Sequence, residues 1–161
     1  MSGPAKTQAM RWLDARRIAY RALAYDPEAA FHSAKEAAAI LGAPAEAVYK
    51  TLIALRDDAP ARPLVVMTPA THELDLRLLA AAVGAKRVRM ASQREAERLT
   101  GMRVGAITAI GLQRPVAAML IDEHARSLAR IFVSAGARGV EPELALDDLL
   151  RATGAAFVRA T

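Results

Sequence analysis

Among the basic residues of this 161-residue chain, 18 are arginine and 4 are lysine, and one of those lysines, Lys50, opens the apolar run Lys50-Thr51-Leu52-Ile53-Ala54-Leu55. Side chains alternate along an extended strand, so Lys50 shares a face with Leu52 and Ala54 while Thr51, Ile53 and Leu55 take the other. An ammonium at the mouth of an apolar layer costs free energy unless an anion or a cavity receives it. A compact charge that hydrogen-bonds a carbonyl or carboxyl suits that place, which makes Lys50 the first candidate for chemistry. The competing reading is a strand-end lysine that lays its stem on apolar surface and keeps its charge in water.

Two glycine loops come next. In Thr100-Gly101-Met102-Arg103-Val104-Gly105-Ala106-Ile107-Thr108, the glycines permit close backbone approach, so that bare N–H groups face a substrate carbonyl or phosphate. No Lys follows the second glycine, so this is not a P-loop. Gly101 also reads as a helix stop and Gly105 as a bulge. The second loop, Ser134-Ala135-Gly136-Ala137-Arg138-Gly139-Val140-Glu141, places a hydroxyl before a turn and a carboxylate after it. A serine nucleophile is not expected there, because G-x-S-x-G is absent and no base is located for it.

Other chemistries are excluded by what is missing. There is no cysteine, which removes disulfides, thiolate metal sites and a cysteine nucleophile together. The three histidines, His32, His72 and His124, have no ligand spacing, so no metal is expected, and no cofactor. Asp57-Asp58 and Asp147-Asp148 fit a solvated turn and a helix start better than paired acid/base work.

These candidates need elements to hold them. An amphipathic helix is expected within 5–17, then a strand over 18–25. Ser33-Ala34-Lys35-Glu36 is a capping box for a helix over 33–41 that stops at Gly42. Pro44 opens a helical turn, and buried strands at 50–55 and 63–68 flank the acidic turn. Asp75 caps a helix over 75–83, and Ser92-Gln93-Arg94-Glu95 caps another that closes at Gly101. Strands are expected at 104–112, 116–122, 129–134 and 156–159, with a helix at 147–153. Strands and helices mix without strict βαβ alternation, which predicts one α+β domain with a mixed sheet.

The net charge of +5 and isoelectric point near 10.1 suit a polyanionic partner, although Ala-rich, Arg-rich composition also arises without selection for binding. At 4% Phe, Trp and Tyr, a platform stacking several bases is not expected. No apolar run is long enough to span a bilayer, and the first residues lack the apolar centre of a signal peptide, so a cytosolic protein with no membrane partner is expected.

Several segments, taken in order, resemble the YbaK-like aminoacyl-tRNA deacylases: Val48-Tyr49-Lys50-Thr51-Leu52, Thr68-Pro69, Glu73-Leu74-Asp75-Leu76, Ala82-Val83-Gly84-Ala85-Lys86, Thr100-Gly101 with Val104-Gly105, Ile121-Asp122, and Val133-Ser134-Ala135-Gly136 with Arg138-Gly139. The resemblance covers roughly residues 5–158 and implies a mixed, partly rolled sheet packed by helices, related to the editing domain of bacterial prolyl-tRNA synthetase. It implies release of a mischarged amino acid, most often Cys from Cys-tRNA(Pro) or Cys-tRNA(Cys), with the substrate's own thiol attacking the ester, and Ala from Ala-tRNA(Pro) in a sister branch. By position it makes Lys50 and Gly105 catalytic. Tyr25, Phe31, Thr68, Gly101, Ala106, Ser134, Gly136 and Glu141 become substrate-binding, the 3' acceptor end of tRNA the partner, and a prolyl-tRNA synthetase a transient one.

The sequence departs from the family where Gly105-Ala106-Ile107-Thr108-Ala109 stands for the usual Gly-Gly-Ile-Ser-Pro, and where Glu141 stands for an Asp. Both changes reshape a small pocket and bear on amino-acid specificity. Two other readings therefore stay open: a non-catalytic tRNA- or synthetase-binding module of the same fold, and a regulator that binds a free amino acid or nucleotide.

Overall fold

The computed structural model describes residues 5–24, 26, 34–134 and 139–161. Helix α1, Gln8–Ala15, starts where the Thr7 side chain accepts the Met10 N–H. Helix α2 spans Ala34–Leu41 and α3 Leu76–Ala82, the latter capped by Asp75, which accepts from Arg77 and Leu78. Helix α4, Gln93–Thr100, carries the full Ser92/Glu95 capping box and stops at Gly101 in the left-handed region. Helix α5 runs Leu146–Thr153. Side chains cap α1, α3 and α4, whereas α5 starts at Ala145 without a side-chain cap and Ser33, expected to cap the second helix, lies outside the described residues.

The strands form two sheets. The larger contains β2 (Tyr49–Arg56), β3 (Ala59–Pro69), β4 (Val88–Met90), β5 (Ala118–Asp122) and β8 (Ala156–Val158), in the order β4-β2-β3-β5-β8. It is mixed: β2 pairs antiparallel with β3 and β4, whereas β5 lies parallel to both β3 and β8. The smaller sheet, antiparallel throughout, contains β1 (Arg21–Ala24), β6 (Arg130–Phe132) and β7 (Val140–Ala145) in the order β1-β7-β6. A single parallel bridge, Val48 to Phe132, joins the two sheets. The α+β class with a mixed sheet is the one expected.

The main core fills the space between the sheets. Tyr49, Ile53, Val65, Met67 and Ile121 from the larger sheet meet Ile131 and Leu144 from the smaller, and α1, α4 and α5 close the edges. On the far face of the larger sheet, Ala54, Leu64, Val66, Leu120 and Val158 pack against Leu79 of α3. A third cluster, built from Ala38 and Leu41 of α2 with Val48 and Phe132, covers the junction of the sheets.

The expected strand over 104–112 does not form. Gly105 and Gly111 adopt φ of 92° and 75°, which no regular strand accommodates, and Ile107, Ala109 and Ile110 turn into the core as anchors of a loop. Conversely, β7 has Pro142 in a central strand and two glutamates, a type depleted in strands, and these weaken a strand signal that rests on Val140, Pro142 and Leu144 alternating with Glu141 and Glu143. Strand β4, three residues long with an arginine in its middle, was also not expected.

Candidate active site

Sheet register aligns four of the candidate residues, Lys50, Thr68, Ser134 and Glu141. Lys50 lies opposite Thr68, and Leu23 opposite Glu141. Val133 donates to the Pro142 carbonyl at 3.3 Å, which carries the β6–β7 register one step further and sets Ser134 opposite Glu141. Two residues beyond the Val48–Phe132 bridge come Lys50 and Ser134, at the point where the sheets part. At the other end, the Met67–Ile121 pairing puts Thr68 and Asp122 abreast at the next step. Register thus sets Asp122, Thr68 and Lys50 in a row on the larger sheet and Ser134, Glu141 and Leu23 in a row on the smaller one, and the two rows approach each other beyond the Val48–Phe132 bridge.

Lys50 occupies the gap between two apolar clusters. Ala54 and Val66, toward the strand interior, belong to the α3 cluster, while Val48 belongs to the α2 cluster. The lysine is half-buried, and among the described residues no carboxylate pairs with it. Its neighbour Thr68 is wholly buried, and the Thr68 hydroxyl has no hydrogen-bond partner among the described residues. Tyr49 points to the opposite face, into the main core. Its hydroxyl is likewise unpartnered, and burial, reinforced by the Asp122 charge, raises its pKa.

Glu141 has a buried Oε2 without a partner, and burial pushes its carboxyl up to about 7. Glu143, two residues on, behaves in the opposite way, because Arg130 and Arg21 bond its carboxylate at 2.6 and 2.8 Å and hold its pKa below the usual range. The contrast is physical: a carboxylate in a buried place ionises readily only when donors compensate it.

The Gly105 loop is tied to the smaller sheet's row by Thr108, which donates its hydroxyl hydrogen to the Ser134 carbonyl at 2.6 Å and accepts the Ile110 N–H at 3.1 Å. Thr108, a member of the altered loop motif, was not singled out from sequence; a buried hydroxyl between apolar residues is the only local trace of its role. The Ala106 N–H is spent on the Arg103 carbonyl at 2.9 Å and the Val104 N–H lies 3.4 Å from Glu97 Oε1, while Gly105 stands at the exposed tip. Gly101 closes α4, and a side chain there would meet the Arg114 guanidinium at 2.9 Å. Tyr25, Phe31 and Gly136 lie outside the described residues.

In the sequence Asp122 stands out only as part of the Ile121-Asp122 segment, and sheet register is what sets it abreast of Thr68. Asp122 is fully buried, and its oxygens accept from the His124 and Ala160 backbone N–H groups at 3.0 and 3.1 Å and from the Thr161 hydroxyl at 3.0 Å. His124 Nδ1 stands 2.5 Å from Asp122 Oδ1. Burial alone would raise the Asp122 pKa, but these donors outweigh it and the net shift is downward. The sequence signal is an Asp two residues before a His at a strand end. Among the described residues no group of three or more His, Asp or Glu is arranged to hold a metal ion, and no helix is long and apolar enough to cross a membrane.

The α+β fold thus holds a half-buried lysine, without a carboxylate partner among the described residues, near the junction of its two sheets, and a glycine loop tied through Thr108 to the Ser134 carbonyl. Comparison with known proteins gives the family. Residues 28–152 match the aminoacyl-tRNA editing domain. The chain is 33% identical over 156 residues, 97% of its length and 93% of the relative's, to the "Putative Cys-tRNA(Pro)/Cys-tRNA(Cys) deacylase EbsC" of Enterococcus faecalis. It is also 34% identical over 96 residues to the proline–tRNA ligase of Nitratidesulfovibrio vulgaris, covering 60% of this chain and 16% of the ligase. Among solved structures, hypothetical protein APE2540 superimposes with a TM-score of 0.79 at 26% identity, over 93% of this chain and 96% of that one. A "putative trans-editing enzyme for prolyl tRNA synthetase" has the same fold, with a TM-score of 0.79 at 21% identity over 98% of this chain and 99% of that one. The chain belongs to the aminoacyl-tRNA editing domain family.

Proposed function

We propose that residues 1–161 act as one trans-editing domain that releases a mischarged amino acid, Cys first, from tRNA(Pro) or tRNA(Cys). The observation that carries this reading is the set Thr68, Lys50, Ser134 and Glu141, because one cation with no carboxylate partner among the described residues and three polar side chains lie on strands that meet at the parting of the sheets. The family and the EbsC likeness supply the substrate class.

In this reading the Lys50 ammonium lies against the ester carbonyl and the Gly105 N–H against the same developing oxyanion. Fixed donors of this kind are worth about 3–4 kcal/mol each in acyl transfer. Ser134 and Glu141 line the amino-acid side of the pocket, and Glu141, protonated below about 7, donates a hydrogen bond as a neutral acid. With a cysteinyl ester, the substrate sulfur attacks its own carbonyl carbon, the bond to the ribose oxygen breaks, and that oxygen takes up the proton the thiol has lost. The products are a thiolactone and the deacylated tRNA, and the protein supplies no nucleophile. A prolyl-tRNA synthetase as transient partner is supported by the related segment carried within the Nitratidesulfovibrio ligase.

One observation favours the binding-module alternative: the Ala106 N–H is spent on the Arg103 carbonyl and so is withdrawn from a substrate. A panel of Cys-tRNA(Pro), Cys-tRNA(Cys), Ala-tRNA(Pro) and Ser-tRNA separates the readings. Release of Cys that falls at least about a hundredfold in Lys50→Ala supports the proposal. Release of Ala or Ser alone removes the thiol mechanism, and no release from any tRNA leaves a binding module.

A further inference from the structure

At the Asp122 end of the larger sheet's row, two imidazoles lie face to face. The rings of His72 and His124 are 4.8 Å apart between centroids and tilted by 31°, and both residues are exposed. Each is held from behind. His124 is oriented by the buried Asp122 through Nδ1, with Thr161 Oγ1 a further 3.3 Å contact, and its backbone N–H is fixed by the same carboxylate. His72 is held by its backbone N–H on the Pro69 carbonyl at 3.1 Å and by Thr71 Oγ1, 2.9 Å from its Nδ1. The loop that carries it is tied down by Asp75, whose N–H reaches the Ala160 carbonyl at 2.7 Å.

Anchoring through Nδ1 leaves Nε2 and one ring face of each imidazole for a partner. A rigid aromatic surface beside a cationic site suits single-stranded nucleic acid, because every base has a π-face and histidine is among the side chains on which bases stack. The position of the pair decides its task. Asp122 is two strand spacings, about 10 Å, from Lys50, far beyond the ~3 Å reach that proton transfer at the same ester would need. A group so placed meets what leads away from the reacting bond, at the end of its row away from the row that carries Glu141.

We propose that the His72–His124 pair is a stacking platform for the unpaired nucleotide that precedes the terminal adenosine of the acceptor end. This rests on the deacylase reading of the same site, and it assigns a direction to the substrate: the amino acid toward Glu141, the RNA strand toward the imidazoles. Composition hid the platform, since the low aromatic content counts only Phe, Trp and Tyr.

The test uses the whole protein and two probes. A fluorescent single-stranded ACCA oligonucleotide without an amino acid reports direct binding, and deacylation is followed on two substrates, aminoacyl-tRNA and aminoacyl-adenosine. In His72→Ala, which leaves the Asp122–His124 contact intact, oligonucleotide affinity falls about tenfold, as for loss of one base–aromatic stack. KM for aminoacyl-tRNA rises by a similar factor, kcat is unchanged, and aminoacyl-adenosine is turned over as before. His72→Phe, which keeps a ring, restores binding, and thermal melts confirm that both variants are folded. Equal oligonucleotide binding by wild type and His72→Ala, or an equal loss on both substrates, overturns the platform. Wild-type protein that binds the oligonucleotide through His72 but deacylates nothing keeps the platform and overturns the deacylase reading instead.

Discussion

Replacing Glu141 with glutamine removes one titration and leaves a similar shape, and the structure gives the size of the effect. Burial lifts this carboxyl from an ordinary 4.5 to about 7. The unfolded chain therefore loses its proton first as pH rises, and the folded state binds more protons between those values. Stability then falls as pH rises through the window from 4.5 to 7 and levels off above it. The span is about 2.5 units, so about 3 kcal/mol of stability present at pH 4.5 is gone at pH 8. The neutral amide of Glu141→Gln does not titrate. Urea unfolding at half-unit steps from pH 5 to 8.5 should show the variant close to wild type at the acid end and more stable at the alkaline end, the midpoints diverging by about 1 M or more. Groups that titrate elsewhere are common to both proteins and cancel in the difference. Asp122 and Glu143 have lowered pKa values, so their contributions are lost at the acid side of this window. Parallel curves for the two proteins would refute the reasoning, because they would mean that Glu141 ionises in the folded state as freely as in the unfolded chain.

Thr108→Val keeps the volume of the loop anchor and removes its hydroxyl, leaving the Ser134 carbonyl without the Thr108 donor; deacylation should drop severalfold with at most about 1–3 kcal/mol lost in urea unfolding. Gly111→Ala forces a side chain into a backbone of φ 75° and against Trp12 at 3.3 Å, and calorimetry should find it destabilised by about 1–2 kcal/mol. Asp122→Asn retains shape but loses charge-assisted acceptance of four donors, so a loss of about 2–3 kcal/mol is expected, with faster amide exchange at His124 and Ala160. Unchanged exchange at those two amides would show that the carboxylate does not hold the chain end.

What the sequence determined by itself was whatever depends on near neighbours. The Ser92/Glu95 box and the Gly101 stop are made within four residues, and α4 begins and ends where they say. Alternation within 50–55 put Lys50 and Ala54 on one face and Ile53 on the other, as the two core clusters confirm. Local signals also misled. The β-branched and apolar run of 104–112 looks extended, but positive φ at its glycines makes it a loop, while Pro142 and two glutamates concealed a strand that pairs on both sides.

The alignment of polar groups was beyond local reading, because it joins residues from β1 to β7 through register, and register is set by how whole sheets pack rather than by any short window. Residues 50 and 134, far apart in sequence, are related only through the Val48–Phe132 bridge two residues before each of them. Glu141 and Glu143 are the same residue type on one strand, two positions apart. Tertiary structure alone decided that Glu143 meets two arginines and stays ionised while Glu141, its Oε2 buried with no partner among the described residues, keeps its proton to about 7.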